Sequence, residues 1–258
     1  MPEGDTIHYA ANRIRPVLQG RVPDEVRTPH ARFGRDRWPE RLAGRTVTDV
    51  SAHGKHLFLR FDDDLTIHSH LRMTGSWRVH PEGARWARSP RRAWLVLTKD
   101  DKNVVQFDGP VLELLSETRR RFDLRLRALG PDILAEEFDE AAFLRRLRED
   151  DPTRGIGDAL LDQRTIAGIG NLWKAEGCWL AEVDPWRPSG NVSDEEALRI
   201  VTQTRPRMQE SARDGNQTRH RKIYNNAGRA CPRCGTRIQG RGQGDDNRTT
   251  YWCPGCQR

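Results

Sequence analysis

The chain has 258 residues, 35% of them hydrophobic and 31% charged, and carries a formal net charge of +7. No run approaches the ~18 consecutive apolar residues of a spanning helix, and Glu3 and Asp5 stand where an export signal would be positive. A helical membrane protein is excluded, leaving the expectation of a soluble, cytoplasmic chain long enough for two modest cores.

Near the N-terminus Ile7, Ala10, Ala11, Ile14 and Leu18 follow helical spacing after Asp5, an N-cap residue type, and predict a helix that Pro16 should distort or shorten. From Thr46 the texture changes. The segments TVTDVSA, HLFLRFD, LTIHSHL, AWLVLT and NVVQFD, separated by Gly and Asp-rich turns, predict an antiparallel sandwich or barrel. After Gly130-Pro131-Asp132 the pattern becomes helical in DEAAFLRRLRED, GDALLDQ, NLWKAEGCWLA and SDEEALRIVTQ. The reading is an α+β chain with three parts: residues 1–127 an antiparallel sandwich or barrel with a helix before it, 128–225 a helical domain, and 226–258 a small appended module.

Within LLDQRTIAGIGNLWKAEGCW, residues 160–179, a helix, a turn at Ala167–Gly170 and a second helix starting at Asn171 are expected. Two glycines permit close backbone approach. Asn171 at the helix start offers its side-chain amide and backbone N–H to a phosphate oxygen.

The positive charge is concentrated late in the chain, where residues 205–258 hold 12 Lys or Arg against 4 Asp or Glu. That is the electrostatic footprint of a segment lying along a polyanion. The same stretch carries Cys231-Pro-Arg-Cys234 and Cys253-Pro-Gly-Cys256, two knuckles 18 residues apart. This spacing predicts a zinc ribbon: four thiolates close a tetrahedral shell around one structural Zn²⁺ and leave no position for substrate. Disulfides are disfavoured without an export signal. Cys178, in an apolar helical stretch, is expected in the core. Between the knuckles, Arg248 is the candidate for insertion into DNA.

These pieces together resemble the formamidopyrimidine-DNA glycosylase and endonuclease VIII family: MPEG at the start, the hairpin His53-Gly54-Lys55-His56, LLDQ…AGIGN, and a ribbon ending YWCPGCQ. The ending is closer to the endonuclease VIII branch, which favours oxidised pyrimidines. The resemblance spans residues 2–257. It implies an N-terminal β-sandwich with flanking helices over residues 1–127, a helix-two-turn-helix domain with a zinc finger, and damaged DNA held between the lobes.

It also implies site residues. Met1 would be removed and the Pro2 amine would attack C1′ of the damaged nucleotide. An α-amine titrates near ~7.7–8.0, so a neutral fraction exists at pH 7. Glu3 would protonate the sugar ring oxygen, and Lys55 would contact phosphate and help keep the amine neutral. Met73, in HLRMTG, would fill the gap left by a flipped base. The activity implied is a bifunctional glycosylase and AP lyase that nicks by β,δ-elimination. It would be a monomer with no organic cofactor, acting on duplex DNA or on single strands and bubbles.

Two departures stand out: Asp5 and Thr6 occupy places where the family often has Pro and Glu, and Phe107–Val111 lacks the Arg and Phe of the glycosylase branch's second wedge loop. The competing reading is a non-catalytic zinc-ribbon protein for DNA binding or damage recognition, which would have no use for the MPEG start.

Overall fold

The structure, a computed structural model, describes residues 2–31, 33 and 36–258. It divides into two compact units, one of Pro2 with Thr6–Arg127 and one of Glu3–Asp5 with Ala128–Arg258.

In the first unit, β2 (Val47–His53), β3 (His56–Phe61), β4 (Leu65–His70) and β8 (Val111–Ser116) form one antiparallel sheet. A second antiparallel sheet has the order β1 (Glu25–Arg27), β6 (Ala93–Lys99), β7 (Lys102–Phe107), β5 (Ser76–Pro81). Leu57, Leu59 and Ile67 of the first sheet and Leu95, Leu97 and Val104 of the second share one core with Ile7, Ile14 and Leu18 of helix α1 (Gly4–Leu18). That makes a sandwich with a helix against its core. Short helices α2 (Trp38–Leu42), α3 (Glu117–Phe122) and α4 (Leu124–Arg127) flank it.

Helix α1 runs through Pro16 to Leu18. An interior proline costs about 3 kcal/mol. Burying Ile14, Val17 and Leu18, at about 1.5–3 kcal/mol for each side chain, outweighs it.

The second unit packs α5 (Glu140–Glu149), α6 (Ile156–Ala159), α7 (Asn171–Leu180) and α8 (Asp194–Asp214) around a core that includes Phe143, Ile156, Ile169, Trp173, Cys178 and Ile200. Ser193 and Glu196 form a reciprocal capping box at the start of α8, and Gly215 at φ 75° ends it. The segment GDALLDQ is helical only over Ile156–Ala159. Beyond it Asp162 accepts from Arg164 N at 2.9 Å and Gln163 from Gly168 N at 3.0 Å. Those side chains serve the next turn instead of prolonging the helix. The hairpin β9 (Gln239–Gln243) and β10 (Arg248–Trp252) completes the unit.

Candidate active site and metal centre

The turn Ala167–Gly170 does what its glycines suggest. Gln163 holds it from both sides: its amide donates to Ile169 O at 3.0 Å and its carbonyl accepts from Gly168 N. Gly168 has φ 105°, a left-handed-side conformation that only glycine adopts freely. Gly170 is extended at φ −123° and is required by space, since a Cβ there would lie 2.3 Å from Glu3 Cδ.

Glu3 is 1% exposed. Its carboxylate accepts from Gly170 N at 3.0 Å, Leu172 N at 2.8 Å and Trp173 N at 3.2 Å. Those are the orphan donors of the first turn of α7, so Glu3 caps that helix from a distant part of the chain, at the positive end of its dipole. Pro2, the preceding residue, is partly buried, and Met1 lies outside the described residues.

In the first unit, Gly54 and Lys55 form the two-residue turn between β2 and β3, where His53 and His56 pair. Gly54, at φ 54°, takes the left-handed position such a hairpin needs. A hydrogen-bonded chain starts beside Lys55: His56 Nδ1 to His68 Nε2 at 2.8 Å, then His68 Nδ1 to Glu113 Oε2 at 3.0 Å. The Glu113 carboxylate can only accept, so His68 carries its proton on Nδ1 and accepts at Nε2 from His56 Nδ1–H.

Burial, with His70, His68, His53 and Arg125 nearby, pushes His56 down to about 2. Burial, Arg72 and Lys55 push His70 to about 4. Both rings are therefore neutral at physiological pH. In the unfolded chain His56 takes up a proton below about pH 6.5, so its contribution destabilises the fold as pH falls through that value. The cost at pH 5 is at most about 2 kcal/mol. Urea unfolding of His56→Gln and the parent at pH 7 and pH 5 should show the smaller acid loss in the variant. Equal losses would show that this ring is not held neutral.

In the second unit, Asn171 is buried, and its amide donates to Thr249 O at 2.8 Å. This joins the start of α7 to the residue next to Arg248, which begins β10 and pairs with Asp246 at 3.0 Å. The four cysteine Sγ atoms lie within 4.8 Å of one another. Cys231 and Cys256 are 3.8 Å apart and Cys234 and Cys253 3.5 Å. A tetrahedral shell of sulfurs at 2.3 Å from a metal has edges of ~3.8 Å, whereas a disulfide is about 2.05 Å. The donor set therefore fits a structural metal ion.

Residues 1–121 match the formamidopyrimidine-DNA glycosylase N-terminal domain, and residues 129–222 match the formamidopyrimidine-DNA glycosylase H2TH domain. The chain belongs to this family.

Among relatives, a probable endonuclease 8 2 of Streptomyces coelicolor is 41% identical, covering 100% of this chain and 94% of its own length. A DNA-(apurinic or apyrimidinic site) lyase Nei2 of Mycolicibacterium smegmatis is 36% identical over 100% and 99%. Among solved structures, Lactococcus lactis formamidopyrimidine-DNA glycosylase bound to DNA containing an abasic site superposes with a TM-score of 0.83 at 25% identity, covering both chains fully.

Against this family background, Met73 sits in the loop between β4 and β5 and is 66% exposed, rare for a large apolar side chain here. Thr74 Oγ1 donates to Asp108 O at 3.1 Å, and Arg88 donates to both Thr74 O and Asp108 Oδ2, at 2.8 and 2.7 Å. Arg88 and Asp108 thus brace the loop that presents Met73, and nothing in the local sequence signalled them.

Two further buried charges sit on α7. Glu176 accepts from the backbone N–H groups of Lys222, Ile223 and Tyr224 at 2.8–3.0 Å, and burial raises its pKa. Lys174 donates to Thr250 Oγ1 of β10, and burial lowers it to about 8. Together they bind α7 to the segment leading into the metal hairpin and to the hairpin itself.

Proposed function

We propose that the chain excises oxidised bases from DNA, pyrimidines foremost, and then nicks the strand, with Pro2 as nucleophile after loss of Met1. The observation that carries this reading is the burial of Glu3 on three N–H donors at the start of α7. A carboxyl one peptide away from an N-terminal imino group is thereby fixed in place. The relatives named endonuclease 8 and DNA-(apurinic or apyrimidinic site) lyase support strand cleavage at abasic sites in DNA.

In this mechanism the neutral Pro2 nitrogen bonds to C1′ as the bond from C1′ to the base breaks, and the proton the nitrogen sheds neutralises the departing base. Glu3 gives its proton to the sugar ring oxygen as the bond from C1′ to that oxygen opens, which leaves the iminium, and the resulting carboxylate returns to the three donors that stabilise it. The iminium then permits loss of a C2′ proton with elimination of the 3′ phosphate, and loss of a C4′ proton with elimination of the 5′ phosphate. Lys55 engages phosphate from the β2–β3 turn, Met73 fills the space of the flipped nucleotide, and Asn171 and Arg248 present the hairpin side to the backbone. One zinc ion on Cys231, Cys234, Cys253 and Cys256 would hold that hairpin together. The action is on chromosomal DNA in the cytoplasm.

Borohydride added during reaction with an abasic-site duplex should trap a covalent adduct that mass spectrometry places on residue 2, and an acetylated N-terminus should abolish it. Trapping that persists with the amine blocked would defeat the assignment.

A further inference from the structure

The three residues after Pro2 are each clamped by a different segment of the second unit. Glu3 is held by the first turn of α7, and Gly4 N donates to Gly168 O at 2.8 Å. Asp5, 1% exposed, accepts from Ser211 Oγ at 2.6 Å and from Gln217 Nε2 at 3.0 Å. With the Gly4 backbone and the Glu3 and Asp5 carboxylates anchored at three successive residues, the chain that carries Pro2 has little freedom to drift. Gly4 cannot be enlarged here, since a Cβ would lie 2.8 Å from Gly168 Cα. Asp5 lies in the first turn of α1, where an acidic residue could simply serve its own helix. Instead it ties that turn to the end of α8 and to the 3₁₀ turn Gln217–His220.

We propose that Asp5, through Ser211 and Gln217, is a positioning residue that sets the angle of approach of the Pro2 nitrogen, in a chain whose next residue, Thr6, has no carboxylate to offer. The proposal rests on Pro2 being the nucleophile. Its physical basis is that misplacing a reacting atom by 1 Å can cost about 10²-fold in rate with binding intact.

The test is Gln217→Glu at a half-buried position, which removes one donor and sets a second carboxylate against Asp5. At pH 7.5 the single-turnover rate of borohydride trapping on an abasic-site duplex should fall at least about tenfold with the DNA Kd unchanged. Towards pH 5.5 the two carboxylates can share a proton, and the ratio of variant to parent should climb back. Gln217→Ala should lose less and show a flat ratio.

A misfolded variant would lose DNA binding, and acid would not restore it. A normal rate in Gln217→Glu, or a loss that ignores pH, overturns the positioning role. Failure of the parent to trap at residue 2 overturns the nucleophile assignment and this proposal with it.

Discussion

Gly170→Ala is expected to lower the rate of base excision by about 10²- to 10⁴-fold, the range for loss of a positioned proton donor, while leaving the protein folded. The new Cβ would lie 2.3 Å from Glu3 Cδ and 2.6 Å from its Cγ and Oε1. Gly170 is at φ −123°, which alanine adopts without strain, so the backbone has no reason to move. The carboxyl end of Glu3, a flexible side chain, yields first. As it yields it loses the hydrogen bonds from Gly170, Leu172 and Trp173 and its registry with Pro2. Cleavage at a preformed abasic site, where no base remains to be expelled, should suffer much less than excision of an oxidised base. An unchanged far-UV circular dichroism spectrum and an unchanged Kd for an abasic-site duplex would confirm that the loss is chemical. Undiminished excision by Gly170→Ala would remove Glu3 from the mechanism.

The contrast between Gly170 and the residues that brace it shows what the sequence reveals and what it hides. Turn glycines, paired cysteine knuckles and the alternation in HLFLRFD are local signals, and each is fixed by the geometry of a few neighbouring residues. The cap on α7 is not local, because its acceptor is residue 3 and its donors are residues 170–173. No spacing rule connects them. The same holds for Asp5 with Ser211, for Arg88 with Asp108, and for the chain from His56 through His68 to Glu113.

Lys174 and Glu176 illustrate a different failure. In NLWKAEGCWLA they stand two residues apart, on opposite sides of a helix, and no spacing rule says that both sides are buried. The structure buries almost the whole of α7, and each finds a partner in the segment around the metal hairpin. The strands β5 and β8 were missed for a simpler reason. SWRVHP alternates but holds only two apolar residues before its proline, and VLELLS carries Glu113 in mid-run without clean alternation. Both become strands by completing hydrogen-bonded ladders with β7 and β4.

Removing the metal should affect the second unit far more than the first. The hairpin's own core is small: Ala175, Trp179, Ile223, Cys231, Ile238 and Cys253. Two of those six belong to the four-sulfur cluster, so apolar burial alone cannot hold it. Structural zinc in isolated finger peptides supplies about 10–16 kcal/mol of apparent binding free energy, more than a typical domain's whole net stability of ~5–15 kcal/mol.

Cys253→Ser, or exhaustive chelation, should therefore unfold β9 and β10. Thr249 and Thr250 would then be lost as partners for Asn171 and Lys174. Lys174 would be left as a buried amine without its acceptor, which costs about 1–3 kcal/mol or more for a charged group. Affinity for an abasic-site duplex should drop by at least about 10²-fold, the scale of losing several phosphate contacts at moderate salt. The sandwich of the first unit, whose core contains none of these side chains, should keep its protection from amide exchange. Elemental analysis should find one zinc per chain and no iron, the other metal that a four-sulfur site favours. A metal-free protein that still binds and nicks DNA at the parent rate would show that the four thiolates do not support the interface.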